Sequence, residues 1–160
     1  MSEFLNSLSP DAARAAFAQC CASDRWVDAM LAARPFASDA TLFAFAERAW
    51  WALKQNDWLE AFSHHPRIGE RDAADAVARA EQSGVATADV SLRRSLADGN
   101  RAYEQRFGHV FLIGATGKGA AEMLDELERR MGNDAKAELR IAAAEQAKIT
   151  RLRLEKLVTA

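Results

Sequence analysis

The stretch SPDAARAAFAQCCASDRWVDAM, residues 9–30, decides the fold class. Ser9 is a helix cap, Pro10 fits the first turn, and Asp11 suits the positive end of the helix dipole. The helix that follows runs to about Cys21, with Ala13, Phe17 and Cys20 on one face. Ser23 and Asp24 start another short helix, which carries Trp26, Val27 and Met30. Two capped helices in such quick succession set the pattern for the chain.

Outward from there, ARPF (33–36) breaks the second helix and Ser38 or Asp39 caps a third, with Leu42, Phe45, Ala49 and Leu53 at helical spacing. Asp57 opens a brief helix through Phe62. RDAADAVARAEQSG (71–84) reads as a helix ending near Gly84, and Thr87 caps a longer one with Leu92, Leu96, Ala102, Tyr103 and Phe107 along one side. HVFLIGATGKG (109–119) interrupts the helical period: VFLI suits an extended buried segment, and the glycines after it make a loop. A helix from about Ala120 to Met131 ends at Gly132, and Asn133–Asp134 caps the last and longest, to about Val158. No repeat or linker divides the chain. The expectation is all-α, a single-domain bundle of about eight helices over residues 1–160.

Composition agrees. Of 160 residues, 49% are hydrophobic and 28% charged, with only 8 glycines and 3 prolines, the profile of a globular chain rich in helix formers. A net charge of −2 gives no electrostatic case for nucleic acid. No apolar run approaches the ~20 residues that span a bilayer, so no membrane association is expected. MSEFLNSLSPDAAR lacks a signal-peptide pattern and LEKLVTA carries no peroxisomal or retention tail. The adjacent Cys20 and Cys21 suit neither an ordinary disulfide nor a Cys-x-x-Cys pair. They read as small core residues of a reduced, cytoplasmic protein.

Three segments invite chemistry. FSHHPRIGE (62–70) holds two of the 3 histidines. Proline pushes the residue before it out of the helical region, so the helix must stop by His64 and His65 must be extended. That projects an imidazole, the natural acid or base near neutral pH, from a fixed corner. An ordinary exposed loop would also account for the pair. Two adjacent histidines and a third at 109 match no zinc pattern, so no metal site is expected. GATGKGA (114–120) fails the phosphate-loop pattern, leaving a flexible helix entry whose backbone N–H groups could hold an anion or a polar ring. Glu81, Gln82, Arg151 and Arg153, taken alone, read as solvated helix residues.

Taken together, HHPRIGE, EQSG, NRAYEQRFGHVFLI, ERRMGND with Glu138, and KITRLRLEKL resemble the 2-oxo-4-hydroxy-4-carboxy-5-ureidoimidazoline (OHCU) decarboxylases of urate breakdown, from about Ala33 to the C-terminus. The resemblance implies an all-α, cofactor-free, homodimeric enzyme that converts OHCU to (S)-allantoin and carbon dioxide. It makes the histidine before the proline, His65, catalytic, with Pro66 beside the substrate. The family's Ser-x-x-Glu-Gln falls on 78–82, so Glu81 is catalytic and Gln82 contacts substrate, while Ala78 stands where the family has serine. The family's main-chain contacts to the substrate ring fall on Ile113, Gly114, Ala115, Thr116 and Gly117, although Val110 replaces the usual proline. A family arginine matches Arg153.

On this resemblance, the carboxylate leaves a ring whose adjacent C=N accepts the electrons, which explains the lack of a cofactor. Protonation must then come from one face. His65 transfers the proton, and Glu81 holds the imidazole or the substrate hydroxyl. Two other classes compete: a non-catalytic helical interaction module, and a lyase or isomerase acting on a related ureide. Convergence of His65 and Glu81 on one polar cavity near Ile113 separates the enzymes from the module; a substrate panel separates the two enzymes.

Overall fold

The structure, a computed structural model, describes residues 2–69, 80–86 and 89–159. Among these there are nine helices and no strand: α1 (Ser2–Ser7), α2 (Pro10–Cys20), α3 (Asp24–Ala32), α4 (Asp39–Trp51), α5 (Gln55–Ser63), α6 (Ser83–Ala86), α7 (Val90–Phe107), α8 (Ala120–Arg130) and α9 (Ala135–Thr159). The all-α expectation holds. The chain forms two compact units, Met1–Ala61 with Gln146–Ala160, and Phe62–Glu145.

In the first unit the caps lie where the sequence puts them. The hydroxyls of Ser9 and Ser23 accept from the Ala12 and Trp26 amides, and Ser38 and Thr41 form a reciprocal capping box. Such caps satisfy helix-end N–H groups that otherwise have no partner. Helices α2, α3 and α4 pack in sequence order, burying Phe17, Trp26, Met30 and Leu42 completely. The Trp26 indole is not stranded, because Nε1 donates to the Ala46 carbonyl at 3.0 Å. Arg34, in the break after α3, donates to the Asn6 and Leu8 carbonyls, and Asn6 pairs with both backbone groups of Phe36.

Three expectations shift here. Helix α1 precedes the first recognised cap; six residues without a capping signature leave little for a pattern to catch. The buried stripe of α4 is Leu42, Ala46 and Trp50, with Phe45, Ala49 and Leu53 only half-buried. Trp50 takes the inner position, where the Trp58 ring packs tilted against it at 6.0 Å and Trp58 donates Nε1–H to its carbonyl. Helix α5 begins two residues before Asp57, whose carboxylate reaches back to accept the Lys54 N–H at 3.1 Å.

The second unit is built differently. Its core joins Leu96, Tyr103, Phe111, Ile113, Met123 and Leu127, with α7 packed on α8. VFLI lies outside any helix; Phe111, Leu112 and Ile113 are buried as expected and Val110 is half-buried, with no strand among the described residues. The inner face of α7 differs from the expectation: Ala102 is exposed and Asn100 is buried, completing a Leu96–Asn100–Tyr103 stripe. Residues 71–79, where a helix is expected, and Thr87, the expected cap, lie outside the described residues. The cap of α7 is Asp89, whose carboxylate accepts from the Leu92 amide. Ala80 and Glu81 are helical and Gln82 lies in a turn, so a helix does end near Gly84, which itself lies within α6. Asp134 caps α9 through the Ala137 amide.

Candidate active site

Helix α5 ends at Ser63, one residue past Phe62 and before His64 as Pro66 requires, so His64 lies in the turn. The His65 amide closes that turn on the Phe62 carbonyl at 3.1 Å. His64 is exposed, whereas His65 and Pro66 are half-buried.

Pro66 does not fix the corner alone. Asn100 Nδ2 donates to the Ile68 carbonyl at 3.0 Å from a site only 2% exposed. One turn further along α7, Glu104 accepts both the Arg67 Nε–H at 2.9 Å and an Nη2–H at 3.1 Å. This fork-to-carboxylate pairing fixes orientation as well as distance. Gly69, at φ +82°, turns the chain in the left-handed region that favours glycine. Its amide donates to Gln82 Oε1 at 3.0 Å, so the histidine corner is tied to the Glu-Gln segment. Glu81, beside Gln82, is 9% exposed.

The Glu-Gln segment is in turn pressed onto the glycine-rich loop. A Cβ added to Gly84 would lie 2.2 Å from the Lys118 carbonyl oxygen, so only glycine permits this approach. The loop itself closes a four-residue turn through Lys118 N–H to the Ala115 carbonyl at 3.0 Å, with Gly117 at φ +78° in its third position. Ile113 and Ala115 are buried, Gly114 is half-buried, and Thr116 and Gly117 are exposed. Among the described residues no atom comes within 4 Å of a Cβ built on Gly114, so its backbone faces open space. Such a loop can present main-chain donors and acceptors to a small polar ring.

Arg153 belongs to the first unit, where Nη1 donates to the Gln19 carbonyl at 3.2 Å. Ala78 lies outside the described residues. His109 is caged by Phe62, Tyr103 and Phe107 at ring distances of 5.4, 5.6 and 6.3 Å. Burial outweighs its contact with the Val110 carbonyl and the nearby Glu138, and holds its pKa below the ordinary value. Cys20 and Cys21 are buried core residues, and burial pushes their thiols up to about 12 and about 11.

Sequence reasoning missed Asn100 and Glu104. For Asn100 the signal was present. Asn100 interrupts an apolar stripe, and a polar residue at an inward helical position needs an internal hydrogen-bond partner.

Comparison with known proteins gives the arrangement a family. The sequence profile of the OHCU decarboxylase family matches residues 6–155. The uric acid degradation bifunctional protein TTL of Arabidopsis thaliana is 37% identical over 145 residues, covering 86% of this chain and 45% of that protein, so the chain spans less than half of that relative's length. The OHCU decarboxylase of Haloferax volcanii is 30% identical over 156 residues, covering 94% of this chain and 91% of its own. A crystal structure of OHCU decarboxylase in the presence of (S)-allantoin superposes with a TM-score of 0.81 at 37% identity, covering 90% of this chain and 97% of that one. This chain belongs to the OHCU decarboxylase family.

Proposed function

We propose that this protein converts OHCU to (S)-allantoin and carbon dioxide, a carboxy-lyase reaction carried out by side chains and backbone alone. The observation that carries the reading is the linkage of three distant segments: the Gly69–Gln82 hydrogen bond and the Gly84–Lys118 approach join the histidine corner, the Glu-Gln segment and the 113–117 loop. Family membership supports the substrate.

The chemistry follows from the substrate. The bond from C4 to the carboxylate breaks, its electron pair forms a C4=C5 double bond, and the pair of the adjacent C5=N moves onto the ring nitrogen, which takes up a proton. The C4 hydroxyl then loses its proton to become the carbonyl, and C5, which bears the ureido group, gains a proton. His65 transfers that proton, and delivery from one face makes a single enantiomer. Glu81 holds the imidazole tautomer or takes the hydroxyl's hydrogen bond as charge moves. Pro66 keeps the imidazole on its corner. Gln82 Oε1 is engaged by Gly69, which leaves its NH2 to donate to the ring or ureido carbonyls. The backbone from Ile113 through Gly117 pairs with the ring. Ala78, in place of the family serine, gives up one hydroxyl contact.

The profile match runs across both compact units, which supports one functional domain over residues 1–160. The same reading carries a cytoplasmic homodimer whose partner molecule is OHCU rather than nucleic acid or membrane; among the described residues no helix is long and apolar enough to cross a bilayer.

The test is to generate OHCU in situ and follow (S)-allantoin by circular dichroism. General acid–base help contributes ~10²–10⁴ in rate, so His65→Ala should lose about that much with the helical spectrum intact. His64→Ala should keep the wild-type rate. Equal activity in the two variants removes the assignment to His65, and a wild-type protein inert towards OHCU removes the function.

A further inference from the structure

The stretch ERRMGND, residues 128–134, and Glu138 take part in none of the steps above. In the structure they build a buried charged cluster. Arg130 is 3% exposed and Glu138 is 0% exposed. Arg130 Nε donates to Glu138 Oε1 at 2.7 Å, and Nη1 donates to the Leu112 carbonyl at 2.7 Å. Nη2 lies 2.6 Å from the same Glu138 oxygen without hydrogen-bond alignment, an electrostatic contact only. The Tyr103 hydroxyl donates to Glu138 Oε1 and Asn133 Nδ2 donates to Oε2. The guanidinium also lies over the Phe111 ring, 4.7 Å from its centroid.

Burying an ion pair is costly, and for stability alone well-packed apolar residues often serve as well. The geometry points to a use. The 110–115 segment lies outside any helix, and among the described residues no strand pairs with it. The Leu112 carbonyl and the Ile113 N–H belong to one planar trans peptide and point in opposite directions. A guanidinium that fixes the carbonyl therefore aims the N–H away from itself.

We propose that Arg130, held by Glu138, is a positioning residue for the decarboxylase reaction: its grip on the Leu112 carbonyl directs the Ile113 N–H and the backbone after it at the substrate ring. This rests on the reading of 113–117 as substrate contacts. The charge must be an arginine's. One planar fork reaches Glu138 and Leu112 at once, which a lysine ammonium cannot do in the same geometry.

Two variants test it. Arg130→Met with Glu138→Gln removes both charges together and leaves no lone buried ion. Arg130→Lys keeps the ion pair and loses the second reach. Each is measured for KM and kcat with OHCU, for urea unfolding, and for amide exchange across 111–117. The expected result in both is a KM raised about tenfold, the scale of one lost hydrogen bond, with a smaller change in kcat. Amides 113–117 should exchange faster while those of α7 keep their protection. A folded variant with wild-type KM overturns the proposal, as does activity that only tracks the unfolded fraction. Loss of fold in both variants assigns Arg130 to stability alone and also overturns it. A wild-type protein inert towards OHCU removes the functional reading itself, whereas an active wild type with unchanged variants removes only the role of Arg130.

Discussion

The two compact units use different means to hold their backbone. In Met1–Ala61 with Gln146–Ala160, short-range hydroxyl caps and a tryptophan-rich core fix helices in sequence order. In Phe62–Glu145 the chain turns at Gly69, Gly108 and Gly117, all at positive φ, and polar side chains from distant positions hold it. Arg130, Glu138 and Asn100 are all buried in this second unit. The contrast separates two tasks. A helical framework needs apolar area and capped ends. A site that offers backbone groups to a ligand must leave those groups outside regular structure and fix them by side chains instead.

The sharpest way to break this contrast is to damage the first unit. Leu42 is fully buried on α4. Leu42→Ala removes its methyl groups and leaves a cavity, which costs about 2–5 kcal/mol. The urea midpoint should fall accordingly, while KM for OHCU measured well below that midpoint should not move. A raised KM in a fully folded Leu42→Ala protein would mean that the framework also shapes the site.

The same division explains what the sequence makes legible. Ser9, Ser23, Asp134 and the apolar residues of α2 and α3 act within one or two turns of themselves, so local pattern finds them. Pro66 likewise restricts the residue next to it, which is why the end of α5 could be placed within one residue. Asn100 on Ile68 and Arg130 on Leu112 span 32 and 18 residues, and no local rule links such partners. The apolar stripe of α7 was therefore given to Ala102, because hydrophobicity alone ranks alanine above asparagine for an inward position. A helix end near Gly84 follows from glycine's preference for such positions, whereas its close approach to the Lys118 carbonyl of another segment follows from no local rule.

Gly84 allows a finer test. The atoms that an alanine Cβ would meet are backbone: Lys118 O at 2.2 Å, Lys118 C at 3.1 Å and Gly119 Cα at 3.2 Å. None can rotate away, so the 115–119 turn or α6 must shift. Gly84→Ala should cost about 1–3 kcal/mol and raise KM, because the displaced turn carries the proposed ring contacts. Gly132→Ala is the control. Its Cβ would meet only Arg129 O, at 3.7 Å, an ordinary contact. If the two alanines are equally harmless, the close packing of the Glu-Gln segment on the loop does not hold in solution.

The smallest effect is in pH dependence, and it belongs to the second unit alone. Burial among Phe62, Tyr103 and Phe107 holds His109 below its ordinary value of 6.5, helped by the Arg130 charge and opposed by the Val110 carbonyl and Glu138. Above that value both folded and unfolded chains carry a neutral imidazole, and His109 adds no pH slope. As pH falls below it the unfolded chain takes up the proton first. Unfolding is then favoured, and stability declines until the folded imidazole is protonated too. His109→Gln cannot titrate, so its urea midpoint should fall less than the wild type's between about pH 7.5 and about pH 5.5. If His109→Gln and the wild type show the same acid slope, the aromatic cage does not exclude water from His109 as its burial implies.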